Sequence, residues 1–175
     1  MTFKGAYKIF VEKNDRMAGI TLRVLVADDY EPWRRHVSSA LQKQPQLQLG
    51  GEASDGVEAV QKAQELIADI VLLDVNLPKL NGFKVAQRIL EHLPQSKIIL
   101  CSADRSFDLA AEALRMGACG YIVKSDADTE LVRALEAVLE GKQYVSSSVV
   151  NRVSRTLTRA PFESCALPLE AHERG

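Results

Sequence analysis

Two short apolar runs in this chain end on carboxylates. Ile70-Val71-Leu72-Leu73 runs into Asp74, and Leu25-Val26-Ala27 runs into Asp28-Asp29. An apolar run this short, without alternation, reads as a strand buried on both faces. Such strands belong to parallel sheets, whose crossovers need connecting helices. The chain is thereby confined to a small group of layered α/β folds. The carboxylates mark where the strands leave the core.

The rest of the sequence keeps this rhythm. Leu22 to Ala27 predicts a first strand. Pro32 suits the first turn of a helix, and Trp33, Val37 and Leu41 then recur on one face. Leu47 to Ala53 predicts a weaker strand with Leu47 and Leu49 on one side. Asp55-Gly56-Val57-Glu58 has the spacing of a capping box and opens a helix striped by Val60, Ala63 and Ile67. After the third strand at Ile70 to Leu73, Phe83, Ala86, Ile89, Leu90 and Leu93 form the apolar side of a helix. Lys97 to Cys101 is a fourth strand. Phe107 to Arg115 is helical and stops at Met116, with Gly117 placed as a C-terminal cap. Gly120 to Val123 is a fifth strand, and Leu131, Leu135 and Val138 stripe a helix that ends before Gly141. Five β-α units predict an α/β fold, a five-stranded parallel sheet with helices on both faces.

In open sheets of this kind, ligands sit beyond the carboxyl ends of the strands. Asp28, Asp29, Asp74, Ser102 and Lys124 all fall at such ends. A lone Asp in a β-α turn usually caps a helix. Three together repel one another, and one takes up a proton unless a cation is present. Hard oxygen ligands favour Mg²⁺, which uses few carboxylates and substrate phosphate. Lys124 could pair with a phosphoryl oxygen, and Ser102 could donate a hydrogen bond to the same group. Taken alone, Lys124 reads as a solvated loop lysine, Ser102 as a turn serine, and Tyr121 as a core aromatic.

Composition removes other classes. The formal charge of -1 gives no global attraction to nucleic acid or anionic membrane. Cys101, Cys119 and Cys165 stand far apart and odd in number, which speaks against a disulfide framework or cysteine-rich zinc site. Cys101 and Cys119 read as small core residues. His36, His92 and His172 read as surface residues, none at a strand end with the carboxylates. No signal peptide or membrane-spanning run is evident, so a cytoplasmic location is expected, with no membrane partner. Residues 1–21 read as an N-terminal extension in which Met17 is a candidate alternative start.

The set Asp28-Asp29, Asp74 with Pro78 and Gly82, Ser102-Ala103, and Gly117-Ala118-Cys119-Gly120-Tyr121-Ile122-Val123-Lys124 closely resembles the receiver domain of two-component response regulators. The Gly-Ala-x-Gly-Tyr-x-x-Lys run is most similar to receivers of the helix-turn-helix (LuxR-type output) subfamily. The resemblance covers about residues 22–141 and implies a flavodoxin-like, doubly wound (βα)5 domain with strand order 2-1-3-4-5. It implies that Asp74 is the phosphoacceptor, supplied by the phosphohistidine of a histidine kinase or phosphotransfer protein. Asp29 would bind Mg²⁺ directly and Asp28 mainly through water, with Asp74 and the backbone carbonyl of Asn76 completing the ligands. Lys124 and Ser102 would contact the phosphoryl group, and Tyr121 would swing inward as a switch aromatic. Asn76 and Asp104 occupy positions that tune hydrolysis. Ser125 follows Lys124 where many receivers have proline. The protein would be a phosphoacceptor rather than an enzyme, and phosphorylation would shift the population of one surface arrangement for an as yet unnamed downstream target.

Residues 142–175 read as a C-terminal tail, too short for a helix-turn-helix output domain of roughly 60 residues. An amphipathic helix over 147–159 is expected, with Val149, Val150, Val153 and Leu157 on one face and Arg152, Arg155 and Arg159 on the other. That stripe could dock on the receiver, on an absent partner, or on a second copy in a homodimer. The chain by itself is not expected to bind DNA, since nothing in it reads base edges. Two alternatives remain at this point. One is a phosphatase of the dehalogenase-like class, which places D-x-D after its first strand where this chain has adjacent Asp28-Asp29. The other is a pseudo-receiver that is never phosphorylated.

Overall fold

The computed structural model describes residues 21–153. The expected extension before Thr21, the start at Met17, and the expectations on Leu157, Arg155, Arg159, Cys165 and His172 lie outside the described residues. So do the side chains of Arg152 and Val153.

The strands are β1 (Leu22–Ala27), β2 (Leu47–Ala53), β3 (Ile70–Asp74), β4 (Lys97–Ser102), β5 (Gly120–Val123) and β6 (Tyr144–Val145). The helices are α1 (Glu31–Leu41), α2 (Gly56–Leu66), α3 (Gly82–His92), α4 (Phe107–Arg115), α5 (Ala127–Leu139) and α6 (Ser147–Val153), with a 3-10 turn at Lys124–Asp126. All strand pairings are parallel, in the order β2-β1-β3-β4-β5-β6.

Successive residues on a strand face opposite sides of a sheet, and here both sides are apolar. Val24 and Val26 of β1 join one cluster, packed by Trp33, Val37 and Leu41 of α1 and by Leu131, Leu135 and Val138 of α5. Leu25 and Ala27 join the other, packed by Ala63 of α2, Ile89 of α3 and Ala113 of α4. Every residue of β3 is buried, as its unbroken apolar run predicts. Each fully buried Leu or Ile contributes about 1.5–3 kcal/mol. Two apolar faces therefore hold helices on both sides, and the carboxyl ends of the strands form one open rim.

The sheet has six strands where five were expected. Tyr144 and Val145 pair with Gly120 and Tyr121 along the edge of β5. A two-residue strand carries no periodicity to read, so sequence pattern misses it. Ser146 extends the pairing: its N–H donates to the Tyr121 carbonyl at 3.0 Å, and its Oγ accepts from Val123 N at 2.9 Å. Ser147 donates from its N–H and hydroxyl to Glu130 Oε1, and Ser148 donates to Asp126 Oδ2. Val149 is then fully buried against the cluster that holds Tyr121 and Val123, while Val150 stays exposed. The segment after Gly141 thus packs on the sheet as far as it is described.

Two local expectations shift. Ile67 is not on the stripe of α2: it follows the helix with φ 49°, in the left-handed region, and its side chain is exposed. Asp55 caps α2 by accepting from Val57 N and Glu58 N, but Glu58 reaches back to Ser54 N rather than to the cap residue. Gly117 takes the expected cap position after α4 with φ 106°, a conformation that suits glycine. Among the described residues, no helix is long and apolar enough to cross a membrane.

Candidate functional site

The rim collects the predicted residues. Asp28 leaves β1 fully buried, Asp29 beside it is exposed, and Asp74 ends β3 almost fully buried. One carboxylate oxygen from each lies within 4.8 Å of the others. The parallel pairing of β1 with β3 sets this: Ala27 stands opposite Leu73, so the residues that follow emerge side by side. Asp28 is held on two sides. Its Oδ1 accepts from Tyr30 N at 2.9 Å, and its carbonyl accepts from Arg34 Nη1 at 2.8 Å.

Behind Asp74 the backbone is tightly packed. A Cβ at Gly82 would lie 2.2 Å from the Asp74 carbonyl oxygen, so only glycine lets α3 begin there. Asn81 caps that helix by accepting from Lys84 N at 3.0 Å. Asn76 is exposed in the turn directly after β3.

Lys124 enters from the end of β5. Its Nζ lies 2.6 Å from Asp28 Oδ2 and 3.0 Å from Asp74 Oδ1. The contact with Asp28 is a charge contact without hydrogen-bond alignment, and Asp28 Oδ2 is buried with no hydrogen-bond partner. Burial opposes the charge on Lys124, yet its close pairing with the carboxylates of Asp28 and Asp74 outweighs it and raises its pKa above the usual lysine value. For Asp74 burial wins. Desolvation raises its carboxyl above the ordinary value, Lys124 works against this, and the charges of Asp28 and Asp29 add to the rise. Three carboxylates against one ammonium leave the rim negative.

The remaining pieces sit on the next two strands. Ser102 is fully buried at the end of β4, and its Oγ accepts from Asp104 N at 3.0 Å. Tyr121 is fully buried, and its hydroxyl donates to the Asp104 carbonyl at 2.9 Å. Burial raises the Tyr121 pKa, with a Ser102 hydrogen bond opposing. The backbone of Asp104 therefore links serine and tyrosine. Cys101 faces the other side of β4, where burial pushes its thiol up to about 12. It is a core residue, as is Cys119.

Several neighbours of the rim were not legible as such. Trp33 belongs to the apolar stripe of α1, but Lys124 Nζ also lies 5.4 Å from its ring centroid. His36 stacks on Trp33 with centroids 5.6 Å apart and approaches Asp128 at 3.5 Å. A groove of about 300 Å³ opens here, lined by Tyr30, Pro32, Trp33, His36, Lys124 and Asp128. The available signal was the position of Trp33, in the first turn after Asp28-Asp29; its spacing with Val37 and Leu41 assigned it to the core alone.

The acid set fits a hard divalent cation. It offers oxygen donors only, one of them on exposed Asp29, and Asp28 Oδ2 is a buried acceptor without a hydrogen bond. With Lys124 in reach of Asp28 and Asp74, the arrangement can hold and neutralise a further anionic group at Asp74.

Comparison with known proteins places this geometry. A family model described as the response regulator receiver domain matches residues 24–136. Response regulator GacA of Pseudomonas viridiflava is 31% identical over 133 residues, which cover 76% of this chain and 62% of GacA. The chain thus spans less than two thirds of the length of that relative. Transcriptional regulatory protein LiaR of Bacillus subtilis (strain 168) is 32% identical over 150 residues, covering 86% of this chain and 70% of LiaR. A crystal structure of a LuxR-family two-component response regulator from Aurantimonas sp. SI85-9A1 matches with a TM-score of 0.72 at 28% identity, covering 77% of this chain and 96% of that one. The expectation against DNA binding is not borne out by these relatives, one of which is a transcriptional regulatory protein. Nor do they favour the phosphatase alternative, being response regulators. This chain belongs to the response regulator receiver domain family.

Proposed function

We propose that this chain is a phosphoacceptor module of a two-component pathway and that Asp74 takes the phosphoryl group. The observation that carries the reading is Lys124, whose ammonium reaches Asp28 and Asp74 together at the open ends of β1 and β3. In the transfer, the phosphorus–nitrogen bond of a phosphohistidine breaks as a phosphorus–oxygen bond to Asp74 forms, and the imidazole leaves. The donor is a histidine kinase or a phosphotransfer protein, which fits the family. Lys124 neutralises charge on the transferred group, and the buried Ser102 hydroxyl donates to it. Asp28, Asp29, Asp74 and the Asn76 carbonyl would hold Mg²⁺, which would neutralise charge building on the phosphoryl oxygens.

The output is a shift of population. Phosphorylation adds acceptors at Asp74, and the Ser102 hydroxyl, drawn toward them as a donor, carries with it the Asp104 N–H it accepts from. Tyr121 donates to the carbonyl of that same residue, so the change reaches α4 and β5. That surface is read by a downstream protein or a second copy of the chain. We assign residues 22–141 to the receiver unit proper, with the protein acting in the cytoplasm as a switch and not as a turnover enzyme.

Phosphoramidate or acetyl phosphate with Mg²⁺ should modify wild type at Asp74, with the modified peptide identified by mass spectrometry. Asp74→Asn should give no modification. Equal labelling of that variant, or labelling that ignores chelation of Mg²⁺, overturns the assignment.

A further inference from the structure

Trp33 is the single tryptophan of the sequence. It is 8% exposed, fixed in the first turn of α1 among Val24, Val26 and Leu131. Lys124 is differently placed: its side chain is 22% exposed and reaches the rim on a flexible stem. Its ammonium meets the carboxylates of Asp28 and Asp74, and it also lies 5.4 Å from the Trp33 ring centroid, within cation–π range. An ammonium on an indole at a partly desolvated site is held without hydrogen-bond direction, so it can slide without losing the contact.

We propose that Trp33 is a positioning residue for Lys124, keeping the ammonium at the rim while its carboxylate partners change. The proposal rests on the phosphoacceptor reading above. Both present partners of Lys124 are ones that reading alters. Asp28 would turn to the cation, and Asp74 would lose its charge to an acyl linkage when phosphorylated. A lysine held by those carboxylates alone would be released at the step that needs it. The indole does not compete for carboxylate oxygens and is itself immobilised by the core. Lys124 then stays beside Asp74, where the phosphoryl oxygens arrive.

The test compares Trp33→Leu and Trp33→Phe in the wild-type and Lys124→Met backgrounds. The initial rate of Asp74 modification by phosphoramidate with Mg²⁺ is followed for each. Trp33→Leu should slow modification about tenfold, the size expected of a desolvated cation–π contact, and Trp33→Phe should retain most of the rate. In the Lys124→Met background, Trp33→Leu should cost nothing further. A second readout needs no transfer: indole emission of the metal-free protein should differ between wild type and Lys124→Met, and should change when beryllofluoride and Mg²⁺ are added to wild type. Equal losses in both backgrounds, equal losses for Leu and Phe, or emission indifferent to Lys124 and beryllofluoride overturn the positioning role while leaving a labelled Asp74 intact. A wild type that is never labelled overturns the phosphoacceptor reading, and the positioning role with it.

Discussion

Asp55 and Asp74 both stand where a strand gives way to a helix on the same edge of the sheet, and they are opposites. Asp55 follows β2 and is well supplied. Two backbone N–H groups donate to it, and Lys79 pairs with it at 2.5 Å. These partners, first the Glu58 N–H and then Lys79, hold its carboxyl below the usual range. Asp74 ends β3 in a buried place beside Asp28 and Asp29, and burial pushes its carboxyl up. One carboxylate is spent locally on starting a helix. The other is kept short of partners, in a place a cation and an anion can complete. Residue type and strand-end position are shared; the supply of donors separates structure from site.

The most disruptive way to break this contrast is through the backbone behind Asp74. Gly82→Val would drive a side chain into the Asp74 carbonyl, 2.2 Å from its Cβ, and into Val75. We expect a loss of about 3 kcal/mol in urea unfolding, with Asp74 labelling reduced in whatever remains folded. A variant with wild-type stability and labelling would show that the start of α3 does not set the rim.

The next pair of variants sharpens the contrast by giving opposite signs. Asp55→Ala removes a cap and the Lys79 pairing, so melting should fall by a few degrees while Asp74 labelling persists. Asp74→Asn removes a charge that the fold holds at a cost. In the absence of Mg²⁺ it should be neutral or stabilising by about 1 kcal/mol, while labelling disappears. Destabilisation by Asp74→Asn would mean that Asp74 serves the fold much as Asp55 does.

How much of this was readable beforehand depends on how local the cause is. The two-sided burial of β3 follows from Ile70 to Leu73 alone, and the cap at Asp55 from residues within one turn. The meeting of Asp28, Asp29 and Asp74 needed only strand order and register. By contrast β6 has two residues and no periodic signal, and it exists because β5 offers an unpaired edge and Ser146 can extend the ladder to Val123 N. Trp33 was legible as core but not as a neighbour of Lys124, since that contact joins α1 to a turn almost a hundred positions away. Ile67 was misplaced because the left-handed turn that ends α2 overrides its periodicity.

The smallest effect is the most diagnostic. A carboxyl whose folded pKa lies below its unfolded value stabilises the fold above the unfolded value, and this support is lost as pH falls through the folded one. For Asp55, whose reference value is 3.8, the deficit of Asp55→Ala should hold down to about that pH and close only below it. Asp74 runs the other way. Its folded pKa lies above 3.8, so the charge costs stability at neutral pH, and the cost shrinks as pH falls through the folded value and is gone below about 3.8. The gain of Asp74→Asn should therefore close at a higher pH than the deficit of Asp55→Ala. Unfolding of the three proteins without Mg²⁺, from about pH 7 downward, measures the order of the two closing points. If they coincide, or if their order is reversed, the two aspartates are not in opposed environments, and the distinction between helix cap and acceptor has to rest on something other than donors.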